Sequence, residues 1–296
     1  MPDAERNADD WDNEIVPRRS YFKIPWRDLW RYRDLMRLLA RRDLTAQYKQ
    51  TVLGPFWFVI QPLLATFAFS FLFGRLAGLG TEGVPHFLFY MAGLISWNYF
   101  SECINKTAFT FTKNANLFSK VYFPRLAAPL ATLGVNLATY ALQFLIFLGG
   151  IAFYWWKLHY APDPMHPIHL SPNWRVVMLP VLLVQMTMLG LGIGLVISAL
   201  TTKYRDLALG VGFIVQLWMY ASSVVFPLSK IAEPHLQKLL ALNPMVPVIE
   251  MMRYSFLGYG TVSRLQLGVS FGLSVAVLLV GVLMFNRAEQ TAMDAV

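Results

Sequence analysis

Six stretches of this chain, 57–79, 86–109, 126–156, 176–200, 207–227 and 265–285, are apolar over roughly the 20 residues a helix needs to cross a bilayer. A lipid solvent constrains folding more tightly than water does, because backbone N–H and C=O groups in hydrocarbon must be satisfied within the protein. The runs are continuous rather than alternating, which points to helices and not to a barrel. Composition agrees: 56% of the 296 residues are hydrophobic and only 14% are charged, against about a quarter charged in a globular domain. The expected fold is an all-α integral membrane protein with six transmembrane helices. The third run, about thirty residues long, must tilt or begin in the interface. Trp155, Trp156, Tyr160 and Trp174 sit at predicted span ends, where amphipathic rings favour the headgroup layer.

The basic residues orient the runs. Eleven Lys and Arg precede Trp57, Lys106, Lys113, Lys120 and Arg125 border the second connection, and Lys203 and Arg205 lie in the fourth. The remaining connections are poorer in basic residues, so the positive-inside rule puts both termini in the cytoplasm. The net charge of +8 is then a topology signal, and nucleic acid is not the expected partner. The first 25 residues are polar and acidic, without the apolar core of a secretory leader.

The stretch "LLARRDLTAQYKQTVLGPFWFVIQP" joins a basic segment to the first run. On a helical wheel Leu29, Tyr32, Leu35, Met36 and Leu39 share one face, with Arg31, Asp34, Arg37 and Arg41 opposite. Such a helix is expected to lie in the inner membrane surface with its apolar side down. Gly54-Pro55 supplies the bend toward the membrane normal, since proline suits a first helical turn and disfavours the α region in the residue before it. The expected organisation is an acidic cytoplasmic tail (1–27), an amphipathic interface helix and bend (28–56), a six-helix membrane domain (57–287) and a short cytoplasmic C-terminus (288–296).

Several chemistries are missing from the sequence. The single Cys103 rules out an intrachain disulfide framework and a multi-cysteine metal site. No G-x-x-x-x-G-K-[ST] pattern occurs, so the chain encodes no P-loop for ATP. His159, His166 and His169 share a proline-rich loop, but their spacing matches no closed metal site, and no metal is expected. No histidine lies at depth to serve an intramembrane hydrolase as base. Glu102 and Lys106, four residues apart on one helix face, fit two readings. One is an intramembrane carboxylate serving an ion-coupled carrier. The other is a neutralised pair near a helix end. Coupled carriers usually show more buried charge or broken helices.

Four stretches in order resemble the membrane subunits of ABC exporters for lipid-linked polysaccharides, the O-antigen, capsule and teichoic-acid type. They are "LLARRDLTAQYKQTVLGPFWFVIQPLL", "NLFSKVYFPRLAAPLA", "KYRDLALGVGFIVQLWMYASSVVFPLS" and "LLALNPMVPVIEMMRYSFLG". The resemblance implies a permease of the bacterial inner membrane that performs no bond chemistry itself. It implies a second copy of the chain and two copies of a separate ATPase subunit, which would hold the ATP and magnesium. It implies short helices between spans five and six that re-enter the outer leaflet, for which the four prolines of 227–260 are suited. Finally, it implies that two cytoplasmic connections couple to the ATPase. These are 114–125, with Asn114, Leu117, Phe118, Lys120, Val121, Tyr122, Phe123 and Arg125, and 202–206, with Tyr204, Arg205 and Asp206. Phe118, Val121, Tyr122 and Phe123 are expected as apolar knobs, and Lys120 and Arg125 as rim cations.

A polysaccharide substrate suggests two further sets of residues. Aromatic rings match the C–H faces of sugars, and Phe67, Phe69, Phe71, Phe73, Trp97, Tyr99, Phe100, Trp218 and Tyr220 are candidates to line a conduit, though helical geometry forbids all of them facing one channel. A lipid diphosphate needs cations at the inner leaflet, and Arg41, Arg42 and Lys49 are placed to supply them.

Overall fold

The computed structural model describes residues 26–49, 51–81, 83–118, 120–121, 123–160, 170–204, 206–231, 233–260 and 262–294. Nearly all of the expected acidic tail, together with Tyr122, His166, His169 and Arg205, lies outside them. The described chain is helical, with no strand among the described residues. Two helices, α1 (Trp26–Arg31) and α2 (Arg33–Tyr48), lead through a tight turn at Gly54–Phe56 into α3 (Trp57–Phe69), which continues as a π-helical Ser70–Leu76. Then follow α4 (His86–Ala108), the short α5 (Thr110–Lys113) and α6 (Ala115–Phe118), and the long α7 (Ala127–Tyr160). The remainder is α8 (Leu179–Thr201), α9 (Leu207–Tyr220), α10 (Pro234–Ala241), α11 (Met245–Leu257) and α12 (Arg264–Asp294).

Among the described residues, four segments are long and apolar enough to cross a membrane: Gly54–Leu76, Ala127–Tyr160, Trp174–Thr201 and Arg264–Glu289. Two expected spans differ from that standard for separate reasons. The helix α4 has 23 residues but carries Asn98, Ser101, Glu102, Asn105 and Lys106. The helix α9 has 14 residues, about 21 Å of rise, and irregular backbone follows it.

The centre of the molecule is α4, which packs against α3, α7, α8, α9 and α11. Leu88, Tyr90, Met91, Ile95, Phe100, Cys103 and Ile104 are fully buried along it. Polar residues are tolerated in α4 because protein, and not hydrocarbon, surrounds most of its circumference. The α4–α8 contact is close because of the "GLGIG" run. A Cβ on Gly190 would come within 2.7 Å of Cys103 Cβ, and one on Gly194 within 2.5 Å of Thr107 Cβ. Gly192, on another face of α8, meets the α12 backbone at Leu278. Small residues at four-residue spacing let helices approach in this way.

The pairing of residues gives the directions. Gly190 meets Phe100 and Gly194 meets Thr107, so α8 runs parallel to α4. Gln185 bonds Ser270 and Gly192 meets Leu278, so α12 runs parallel to α8. Lys106 bonds Asn136, while Leu88 lies against Gly150, so α7 runs antiparallel to α4.

The amphipathic segment behaves differently from the expectation of a helix with its apolar side in lipid. Leu29 and Leu39 are buried, and Tyr32, Leu35 and Met36 pack with Phe123, Leu126, Ala127 and Phe285. Its apolar face is therefore spent on the end of the bundle. Trp30 and Leu38, which lie off that face, are exposed. The same cluster brings the N-terminal helices and the last turns of α12 to one end of the molecule.

At the other end, twelve of the thirteen residues of α11 are buried. The helix ends at Gly258, whose φ of 85° is the left-handed conformation that terminates helices.

Candidate functional site

The end of the bundle that carries α1 and α2 also carries the connection 114–125. A polar clamp joins the two. Asp43, buried on α2, accepts from Arg42 Nε and Nη2 at 3.0 and 2.9 Å through one oxygen, and from Lys113 Nζ at 3.1 Å through the other. Arg42 Nη2 also donates to Asn114 Oδ1 at 3.1 Å, and Asn114 Nδ2 donates to the Thr110 carbonyl. Charge-assisted bonds of this kind are stronger than neutral ones. They make α2 and α5 one unit.

Beneath the clamp the connection folds onto an aromatic cluster. Phe111 stacks on Phe285 with centroids 4.6 Å apart, and Phe118 lies 5.5 Å from Phe123. Arg125 sits over both Phe111 and Phe118, at 5.8 and 5.5 Å, and donates to the Glu289 carbonyl. Phe118 and Phe123, expected as apolar knobs, and Arg125, expected as a rim cation, make contacts within the chain that hold the loop. Asn114 is buried in the clamp and Leu117 is half-buried, while Lys120 and Val121 remain exposed. The connection 202–206 sits at the C-terminal end of α8, where Tyr204 and Asp206 are exposed and Lys203 lies 5.4 Å from the Tyr204 ring centroid.

A second constellation lies deeper. Glu102 Oε2 meets Lys106 Nζ at 2.9 Å, and Lys106 Nζ donates to Asn136 Oδ1 of α7 at 2.8 Å. Glu102 is half-exposed, facing a cavity of about 390 Å³ between α3, α4 and α7. Asn136 and Gln143, both buried, project from α7 seven residues apart, two turns along one face.

A third is fully enclosed. Glu250 and Arg253 of α11 are each only 2% exposed, with Arg253 Nη1 3.5 Å from Glu250 Oε1. The guanidinium lies 3.6 Å from the centroid of Phe89 and donates to the carbonyls of Phe89, Ser223 and Val224. Asn243 Nδ2 donates to the Ala221 carbonyl at 3.1 Å and to Ser222 Oγ at 2.9 Å. The bonds to Ala221, Ser223 and Val224 serve carbonyls freed where α9 stops, in a segment whose residues 222–225 are all buried.

A profile of the family described as "ABC-2 type transporter" matches residues 34–257, about three-quarters of the chain. The chain belongs to the ABC-2 type transporter family. Its relatives include the O-antigen export system permease protein RfbA of Myxococcus xanthus, 30% identical over 226 residues, covering 75% of this chain and 80% of that protein. Another is the O-antigen export system permease protein RfbA of Klebsiella pneumoniae, 25% identical over 257 residues, covering 86% of this chain and 92% of that one.

In this ABC-2 chain the aromatic candidates fall into separate clusters. Phe69 and Phe73 pack on each other and on Tyr90. Trp97 is buried against Phe100 and Trp218. Tyr99 is buried against Tyr140, and its hydroxyl lies 2.6 Å from Thr187 Oγ1. Phe67, Phe71 and Tyr220 are exposed, Phe67 with its ring 5.2 Å from Phe87. All three cations proposed for a phosphate are exposed, and Arg42 is also held by Asp43 and Asn114.

The ABC-2 chain also uses residues that sequence inspection passed over. Asp43 carries no signal beyond its place in "ARRDL". Glu250 and Arg253 do carry one: opposite charges three apart inside an apolar run. Asn136 and Gln143 form a polar stripe at helical spacing in an otherwise apolar helix.

Proposed function

We propose that this chain is the permease subunit of an ATP-driven exporter that moves a lipid-linked, O-antigen-like polysaccharide across the cytoplasmic membrane. The observation that carries this reading is the similarity to O-antigen export permeases over most of both chains. In this reading the polypeptide crosses the inner membrane six times, with α4 and α9 as the two spans of atypical composition or length. Both termini are then cytoplasmic, which agrees with α1, α2 and the end of α12 sharing one cluster. The α10–α11 segment closes the outer end.

ATP hydrolysis belongs to a separate subunit, present in two copies, docking on 114–125 and 202–206. The clamp at Asp43 suits coupling, because a rigid unit transmits motion that a loose loop would absorb. Lys120, Val121, Tyr204 and Asp206 are among the described residues exposed there. A second copy of the chain completes the translocation path. The exposed apolar residues Leu209, Phe213, Ile214 and Leu217 of α9 are available to it. Arg41 and Lys49 are the cations left for a lipid diphosphate at the inner leaflet, and Phe67, Phe71 and Tyr220 the aromatics left for a conduit.

An ion-coupled carrier centred on Glu102 is not favoured. Its carboxylate is half-exposed and already paired with Lys106 at 2.9 Å.

Deleting the gene in its native host tests the reading. Surface polysaccharide should disappear, lipid-linked polymer should accumulate inside, and the plasmid-borne chain should restore export. Unchanged surface polymer would overturn it.

A further inference from the structure

Glu102 and Lys106 have no task in the coupling just described, yet they border a cavity of about 390 Å³. That volume is at the small end of ligand clefts, which run from about 300 to 1,000 Å³. Its walls include Gln47, from the last turn of α2, and Trp57, the first residue of α3, so it opens at the level where the interface helix meets the first span. Deeper in, it is lined by Gln61, Asn136, Thr139, Tyr140 and Gln143.

The chemistry of that lining is specific. Glu102 and Lys106 neutralise each other at 2.9 Å, and every other polar group named is an amide or a hydroxyl. The cavity therefore offers no net charge to hold a phosphate. It offers donors and acceptors side by side, which is what a polyol presents in return. Tyr140 is buried, and its hydroxyl makes no hydrogen bond among the described residues. Native structures rarely leave such a group unsatisfied without a partner yet to come. Tyr99 and Trp57 add ring faces suited to the C–H faces of a sugar.

We propose that the cavity between α3, α4 and α7 binds a short neutral saccharide, the sugar units nearest the lipid of the exported polymer. This rests on the reading of the chain as a polysaccharide permease. The amides of Gln61, Asn136 and Gln143 and the Tyr140 hydroxyl hold the sugar hydroxyls. Lys106, neutralised by Glu102, orients Asn136 rather than attracting the anionic lipid.

The test uses the full exporter in cells that make the polymer. Gln61 is replaced with the photo-crosslinker p-benzoyl-phenylalanine, the cells are irradiated, and the purified chain is stained for glycan by periodate and hydrazide. A glycan-bearing adduct at Gln61, absent when the crosslinker replaces Leu209 on α9, is the expected result. Gln143→Leu should lower that adduct about tenfold, the loss of one or two hydrogen bonds to the ligand. Tyr140→Phe serves the same purpose if Gln143→Leu does not give monodisperse protein. An adduct with phospholipid alone, or equal glycan capture at Leu209, overturns the proposal. The gene deletion separates the two readings. If surface polymer depends on the chain while Gln61 captures only phospholipid, the cavity assignment fails by itself. If surface polymer does not depend on the chain, the permease reading fails with it.

Discussion

Arg253 Nη2 donates to the Val224 carbonyl oxygen at 2.8 Å, across 29 positions of sequence. The bond explains how the chain tolerates irregular backbone after α9. Carbonyls with no helical partner, away from water, cost several kcal/mol apiece, roughly, unless protein supplies donors. One guanidinium serves two of them, Ser223 and Val224, as well as the Phe89 carbonyl in α4, and its charge is balanced by Glu250. Replacing Arg253 with Met keeps the bulk and removes every donor. Breaking a buried pair in this way costs about 3–5 kcal/mol. The expected outcome is a chain that no longer survives detergent extraction as a monodisperse species. Arg253→Met protein with an unchanged melting temperature would refute this account of the break.

The contact between α8 and α12 has no room for a methyl group at Gly192. A Cβ there would lie 2.7 Å from Leu278 N and 2.8 Å from its Cα, backbone atoms that cannot swing aside. Gly192→Ala should therefore separate the helices and cost about 1–3 kcal/mol. Gly134→Ala is the matched control, because its Cβ meets nothing within 4 Å. Thermal melts of the two variants should differ, with only Gly192→Ala lowered.

Asp43 bridges α2 to α5 without contributing to the apolar core. Asp43→Asn keeps the shape but removes the charge that Arg42 and Lys113 share. We expect the bundle to remain folded while polymer export falls several-fold, since the clamp and not the core has been loosened. Lys113→Met should be milder, because Lys113 is half in solvent and its pairing is screened. The pair of measurements is surface polymer per cell against the melting temperature of the purified chain.

Phe118 and Val121 are three residues apart and should fail differently. Phe118 packs within the cluster, so Phe118→Ala opens a void and lowers the melting temperature. Val121 is exposed, so Val121→Asp should leave melting unchanged and abolish co-purification with the ATPase. Retained ATPase binding by Val121→Asp would remove this residue from the docking face.

The membrane class was readable early because apolar length is a local property. So was the amphipathic spacing of Leu29, Tyr32, Leu35, Met36 and Leu39, which depends only on helical geometry. Its destination was not readable. A stripe of leucines is equally stabilised by lipid or by another apolar surface, and here Phe123, Ala127 and Phe285 cover it. The aromatics posed the same difficulty. A ring bound for a conduit and a ring bound for the core have the same neighbours in sequence, and Trp97 proved to be buried.

Residue order alone was enough to establish a helical membrane chain, its basic end, its missing nucleotide motif and its family resemblance. The first three follow from residues within a window of a few turns, and the resemblance from four stretches in order along the chain. The three-dimensional arrangement alone decided which polar groups satisfy one another. Lys106 reaches Asn136 across 30 positions, Arg42 reaches Asn114 across 72, and Arg253 reaches Phe89 across 164. Hydrogen bonds act over about 3 Å of space whatever the separation along the chain, so no local spacing could have announced them.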